Sequence, residues 1–110
     1  MKTPKQFAGK WRIVWMEQWD QDFVDLVVPG HFTFQKDGTG EFQFGAVGGG
    51  MDCHEEKRNG RDRLEFSWEG DDDGNPVCGR GWAEVDGKEL KGRLFFHLGD
   101  DSSFTARKAR

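Results

Sequence analysis

The chain contains no tyrosine. This removes phenolic acids, bases and nucleophiles from the available chemistry, and with them a residue common on protein-binding surfaces. Cysteine is nearly absent too. Cys53 and Cys78 are too few to staple 110 residues into a disulfide scaffold, and two free thiols are expected. No apolar run is long enough to span a membrane. The basic start Met1–Gln6 is not followed by the apolar stretch of a secretory signal, so a cytoplasmic protein with no membrane partner is expected. A basic excess is missing as well. The formal net charge is −4 and the isoelectric point about 5.3, without the electrostatic footprint of a nucleic-acid binder. The terminal Arg107, Lys108 and Arg110 read as a solvated end. The acidic knot Glu69–Gly74 reads as a wide, exposed turn that repels phosphates.

What is present is aromatic. Apolar residues make up only 35% of the chain, but ten Phe and five Trp supply large side chains, so a few big rings must carry the core. They recur in short runs separated by glycine turns, notably Asp37–Gly40, Asn59-Gly60, Asp86-Gly87 and Gly99–Asp101. Asn-Gly and Asp-Gly favour the positive φ that two-residue hairpin turns require. Clean alternation marks Phe42, Phe44 and Ala46 as one face of a strand, and Leu64, Phe66 and Trp68 as one face of another. Eight strands follow, near residues 10–18, 31–36, 41–47, 51–58, 63–69, 77–85, 89–98 and 102–108. Residues 19–28 fit either a helical turn or an irregular loop, since Phe23, Leu26 and Val27 have helical spacing. Gly48–Gly50 marks a tight corner or a close approach. The glycines of Gly79–Trp82 imply something bulky packed on bare backbone.

No linker or repeat divides the chain, so it is one all-β domain spanning residues 1–110. Serial hairpins with one apolar face curl and close, because closure removes sheet edges. A single eight-stranded antiparallel up-and-down barrel is the expected architecture. At eight strands the interior is either just filled by side chains or holds one small ligand.

The entry Phe7-Ala8-Gly9-Lys10-Trp11 resembles the Gly-x-Trp signature of the calycin superfamily, the lipocalins and avidins. The resemblance implies that Trp11, following Gly9, plugs one end of the barrel and that a late basic residue, Arg107, packs over it. The later lipocalin motifs and the avidin tyrosine are absent, and no ligand-contacting pattern carries over. Phe66–Gly70, Gly79–Ala83 and Phe95–Ser102 resemble segments of short bacterial proteins, a resemblance that implies a fold and no activity.

The candidate site is the barrel interior. Its expected lining is Trp15, Phe32, Phe34, Phe44, Phe66, Trp68, Phe96 and Phe104, with Arg80 and Arg93 as anchors for a carboxylate or phosphate. Two alternatives stand beside it. The rings fill the core, and the arginines pair with Glu65, Glu84 or Glu89 on the surface. The first reading implies a non-enzymatic binder of a small apolar or anionic ligand. The second implies a structural or interaction module, with outward Val14, Trp82 and Phe95 offering a homodimer contact.

Other chemistries fit poorly, and neither a catalytic residue, a metal site nor a cofactor is assigned. His97, Asp100, Asp101 and Ser102 share a hairpin tip without an evident cleft. Cys53 and His54 are adjacent and face opposite sides of a strand, unlike zinc ligands. Asp71–Asn75 lacks the closing glutamate of a calcium loop. Lys91–His97 is similar to an aromatic-basic strand of an OB-fold, against the acidic balance of the whole.

Overall fold

A computed structural model describes residues 3–109. Eight antiparallel strands form one closed barrel in serial order: β1 (Gly9–Met16), β2 (His31–Phe34), β3 (Thr39–Phe44), β4 (Val47–Arg58), β5 (Arg61–Asp72), β6 (Asn75–Asp86), β7 (Glu89–Phe96) and β8 (Asp101–Lys108). β8 closes the barrel against β1, pairing Trp11 with Lys108 and Arg12 with Arg107. The ambiguous segment after β1 contains one helical turn, α1 (Gln21–Val24), N-capped by the Asp20 carboxylate, which accepts from the Phe23 amide at 2.9 Å.

The hairpins follow the turn chemistry. Asn59 and Gly60 both have positive φ (54° and 79°) and join β4 to β5 with Arg58 opposite Arg61, as a type I′ turn requires. The acidic knot is tighter than expected. Asp73 and Gly74 (51° and 88°) form a two-residue turn of the same kind, and Asp71, Asp72, Asn75 and Pro76 are paired strand residues.

Two departures from simple alternation matter for the site. Gly48–Gly50 is not a corner, since all three residues lie within β4. A Cβ on Gly49 would meet the Trp68 ring at 2.9 Å and the Phe42 ring at 3.0 Å, so the glycine makes room for two aromatic side chains. In β1 the ladder slips. Ile13 faces Ala106 and Trp15 faces Thr105, which leaves Val14 as the extra residue of a β-bulge. Beyond the bulge the parity reverses. Val14 and Trp15 both project outward, and Met16 turns into the core.

Phe7 and Trp11 close one end of the barrel. Trp11 is buried, and its indole Nε1 donates to the Phe7 carbonyl at 2.9 Å. Trp19, Phe23 and Phe96 close the other end around Phe44, with Trp19 and Phe44 ring centroids 4.9 Å apart. Leu98, expected on the inner face of the seventh strand, lies past its end in a turn with φ 57° and is almost fully exposed.

Candidate functional site

The rings offered as a cavity lining are packed against one another. Phe32 lies 4.4 Å from Phe104, 5.5 Å from Phe42 and 6.3 Å from Phe66, centroid to centroid. Phe34, Phe44, Phe66 and Trp68 join the same cluster with Leu64, Leu90 and Leu94, and none of these side chains is more than 3% exposed. Aromatic pairs at these separations add attraction to the burial of their surface. Trp68 reaches outward to β7, donating from Nε1 to the Phe95 carbonyl at 3.1 Å across the bare backbone of Gly79. The Gly79–Trp82 segment is thus a place where a bulky ring meets backbone. Phe96 is partly buried at the α1 end, 5.1 Å from Trp68 and 6.1 Å from Trp19.

Three expected lining residues face away from the interior. Trp15 is 49% exposed because the β1 bulge turns it out. Arg80 stacks its guanidinium 4.2 Å from the Phe95 ring on the outer face. Arg93 pairs with Asp101 at 2.6 Å and with Glu17 at 3.5 Å, not with the glutamates expected from sequence. Trp82 and Phe95 do face outward as expected, but each is covered. Arg63 lies 3.9 Å from the Trp82 ring while pairing with Glu84 at 2.8 Å. Cations over outward rings account for aromatic residues on this face without a second copy of the chain.

The residue over Trp11 also differs from expectation. Lys108, not Arg107, lies there, with Nζ 4.6 Å from the ring centroid and hydrogen-bonded to the Ala8 carbonyl. Burial pulls the Lys108 ammonium below its ordinary pKa. Arg107 points to the outer face and meets Glu89 at 3.2 Å. Gly9 adopts φ 113°, a left-handed conformation that admits the Lys108 side chain where a Cβ would sit 2.9 Å from its Nζ.

Concave surface is found on the outside. A shallow depression of about 690 Å³ runs over β3 to β6, lined by Gly50, Asp52, Ser67, Glu69 and Cys78 among others. A second, of about 420 Å³, lies over β1, β2 and β8 and is lined by Lys10, Arg12, Val14, Pro29, Gly30, His31, Arg107, Lys108 and Ala109. Among the described residues, no carboxylate lines it. Asp25 and Glu89 hold Arg12 and Arg107 at its edges, at 3.3 Å and 3.2 Å. Asp25 loses solvation there, yet hydrogen bonds from Gln21 and Gly30 and the Arg12 charge keep its carboxyl below the ordinary value. Of these residues, the sequence singles out Arg107 and Val14, each for another role, and Lys108 only as part of a solvated end. The available signal was alternation. Lys10 and Arg12 flank Trp11 with outward parity, but only barrel closure brings β8 alongside them.

The remaining candidates resolve into structural roles. Ser102 is fully buried. Its hydroxyl accepts from the Gln18 amide at 3.2 Å and donates to the Ser103 carbonyl at 2.9 Å, and Asp101 is held by Arg93. Cys53 is buried and Cys78 exposed, both unpaired, with β5 between their strands. Burial, reinforced by the Asp52 charge, pushes the Cys53 thiol up to about 12. No described helix is long and apolar enough to cross a membrane. Compared with known proteins, the chain matches no family model, no curated protein and no solved structure.

Proposed function

We propose that this protein is a non-enzymatic binding module, a calycin-like barrel with a filled core that meets its ligand on its outer surface. The observation that carries this reading is the Phe32–Phe104 stack at the barrel centre, 4.4 Å between centroids with both rings fully buried. A central ligand site of the usual kind needs a concavity of a few hundred Å³, and the aromatic cluster occupies the space where an eight-stranded barrel would hold one. The Gly9-x-Trp11 entry with a cation over the indole supports the calycin likeness. The two unpaired thiols favour a cytoplasmic setting.

Tryptophan fluorescence during titration with small apolar and small anionic compounds tests the reading. Apolar compounds are expected to give no saturable quenching. A saturable signal from an apolar compound, lost on enlarging an inward side chain such as Leu94→Phe, would place the site inside and overturn it.

A second reading, a homodimer, draws on one observation. The β1 bulge sets Val14 and Trp15 side by side on the outer face, 40% and 49% exposed. Association through this pair predicts a dimer in sedimentation that Trp15→Ser reduces to monomer.

A further inference from the structure

The groove over β2, β1 and β8 brings together basic side chains from three strands. The chain carries a net charge of −4, yet Lys10, Arg12, His31 and Arg107 gather there, and among the described residues no carboxylate joins the lining. The register makes this an arrangement with a stability cost. Arg12 lies directly opposite Arg107 on β8 and directly opposite His31 on β2. Directly opposed side chains sit about 5 Å apart at Cβ, and like charges in that position are destabilising.

The two guanidiniums are only partly engaged. Arg12 meets Asp25 through Nη2 alone, and Arg107 meets Glu89 through Nε and Nη2. Among the described residues, Nη1 of each has no hydrogen-bond partner. Asp25 and Glu89 hold the arginines at the edges of the groove, and Asp25 also accepts from the Gly30 amide at 2.8 Å. His31 turns Nδ1 to the Pro29 carbonyl at 3.1 Å, and its Nε2 has no hydrogen-bond partner among the described residues. Lys10 precedes Arg12 on the same face of β1, about 7 Å along the strand.

We propose that this groove binds the phosphate group of a small ligand. Two forked donors flanked by a lysine and a histidine match a compact, multiply charged oxyanion better than a single carboxylate. The occupant's charge would also relieve the repulsion between Arg12 and Arg107. Val14 and Pro29 provide an apolar edge for an organic substituent on the phosphate. A long polyanion is disfavoured, because Asp25 and Glu89 border the groove on either side. The site rests on the reading that ligands meet the outside of a filled barrel, but it stands or falls separately. Failure to bind phosphate leaves the core packed, and an apolar compound entering the barrel leaves the groove intact.

The full chain is titrated at low salt with inorganic phosphate and with glycerol phosphate, read by amide NMR shifts. Saturable shifts are expected at Arg12, Gly30, His31, Arg107 and Ala109. Arg107→Gln and Lys10→Gln should each weaken binding, the former by about tenfold, the size of one charge-assisted hydrogen bond. Both leave the Arg12–Asp25 pair in place, so the fold is retained. Arg80→Gln, on another part of the barrel, should change nothing. Equal affinity for the two probes identifies free phosphate as the ligand chemistry, and tighter glycerol phosphate binding with shifts at Val14 identifies an organic phosphate. Either supports the site. Shifts that never saturate, that spread equally to Arg80 and Arg93, or that survive Arg107→Gln overturn it. So does a single-stranded oligonucleotide that binds more tightly than glycerol phosphate.

Discussion

The Lys108 ammonium lies 4.6 Å from the centre of the Trp11 ring, while the adjacent Arg107 turns away to Glu89. One position along β8 decides which cation closes the barrel, because neighbouring strand residues face opposite sides of the sheet relative to the paired Trp11. Lys108→Ala should therefore destabilise the fold by about 0.5–1 kcal/mol and alter Trp11 emission. Arg107→Ala, which removes an exposed ion pair, should change stability by less than about 0.5 kcal/mol. Urea unfolding of the two variants separates the roles, and equal effects would refute this assignment.

The packed interior makes its own prediction. Phe104→Ala removes a fully buried ring stacked on Phe32 and should cost about 3–5 kcal/mol. If the variant folds, it should gain an apolar hole that takes up benzene or xenon, as emptied apolar cavities do. The parent protein should take up neither. Thermal shifts with and without benzene measure both.

Gly79 is held by sterics, not by φ. A Cβ there would lie 2.9 Å from Trp68 Nε1 and would overlap the Phe95 carbonyl, which accepts the indole hydrogen bond. Gly79→Ala should destabilise by about 1–3 kcal/mol, the scale of an overpacked site, and should redden Trp68 emission as the ring is displaced. At Gly60 a Cβ meets nothing within 4 Å. Gly60→Ala should carry only the strain of a left-handed residue, about 1 kcal/mol.

Asp25 links α1, the loop before β2 and Arg12, accepting from Gln21, Gly30 and Arg12. Its pKa in the fold is below the ordinary 3.8. A carboxyl depressed by folding stabilises the native state above its unfolded pKa. That contribution fades as pH falls from about 3.8 through the lower folded value, where both states become protonated. Asp25→Asn should therefore lower stability at pH 7, with the gap to the parent narrowing below pH 4. A constant gap from pH 7 to pH 2 would rule out the carboxylate as the cause.

The two thiols should differ sharply. Cys53 is buried with its pKa raised to about 12, whereas Cys78 is exposed. Under native conditions a thiol-specific alkylating reagent should modify Cys78 alone, and Cys53 should react only after denaturation. Mass spectrometry of the digested adduct reads this directly.

Much of the fold was legible because its signals are local. Asn59-Gly60 names its own turn, and the alternation of Leu64, Phe66 and Trp68 names its own buried face. The bulge at Val14 was not legible. Ile13 and Trp15 must satisfy a register with β8 that begins some ninety residues later, and the slip changes the face of every residue after it. That single slip moved Trp15 from the expected interior to the surface. Arg80 and Arg93 share strand parity with the outward Trp82 and Phe95. As interior anchors they required a bulge at the Gly79–Gly81 segment or in β7, and the ladder of β6 with β7 runs through both positions without one. Phe95 beneath Arg80 and Asp101 beside Arg93 settle both on the outside.

By itself the sequence determined an antiparallel eight-stranded chain of hairpins, through turn residues and period-two alternation that act over a few positions. Tertiary structure alone decided how much room remains inside. That depends on the summed volume of Phe32, Phe34, Phe66 and Phe104 against one another across the closed barrel, which no local pattern encodes. Closure also decided the outer chemistry. Lys10 and Arg12 stand near one end of the chain and Arg107 near the other, and only the β1–β8 seam gathers them into one basic groove.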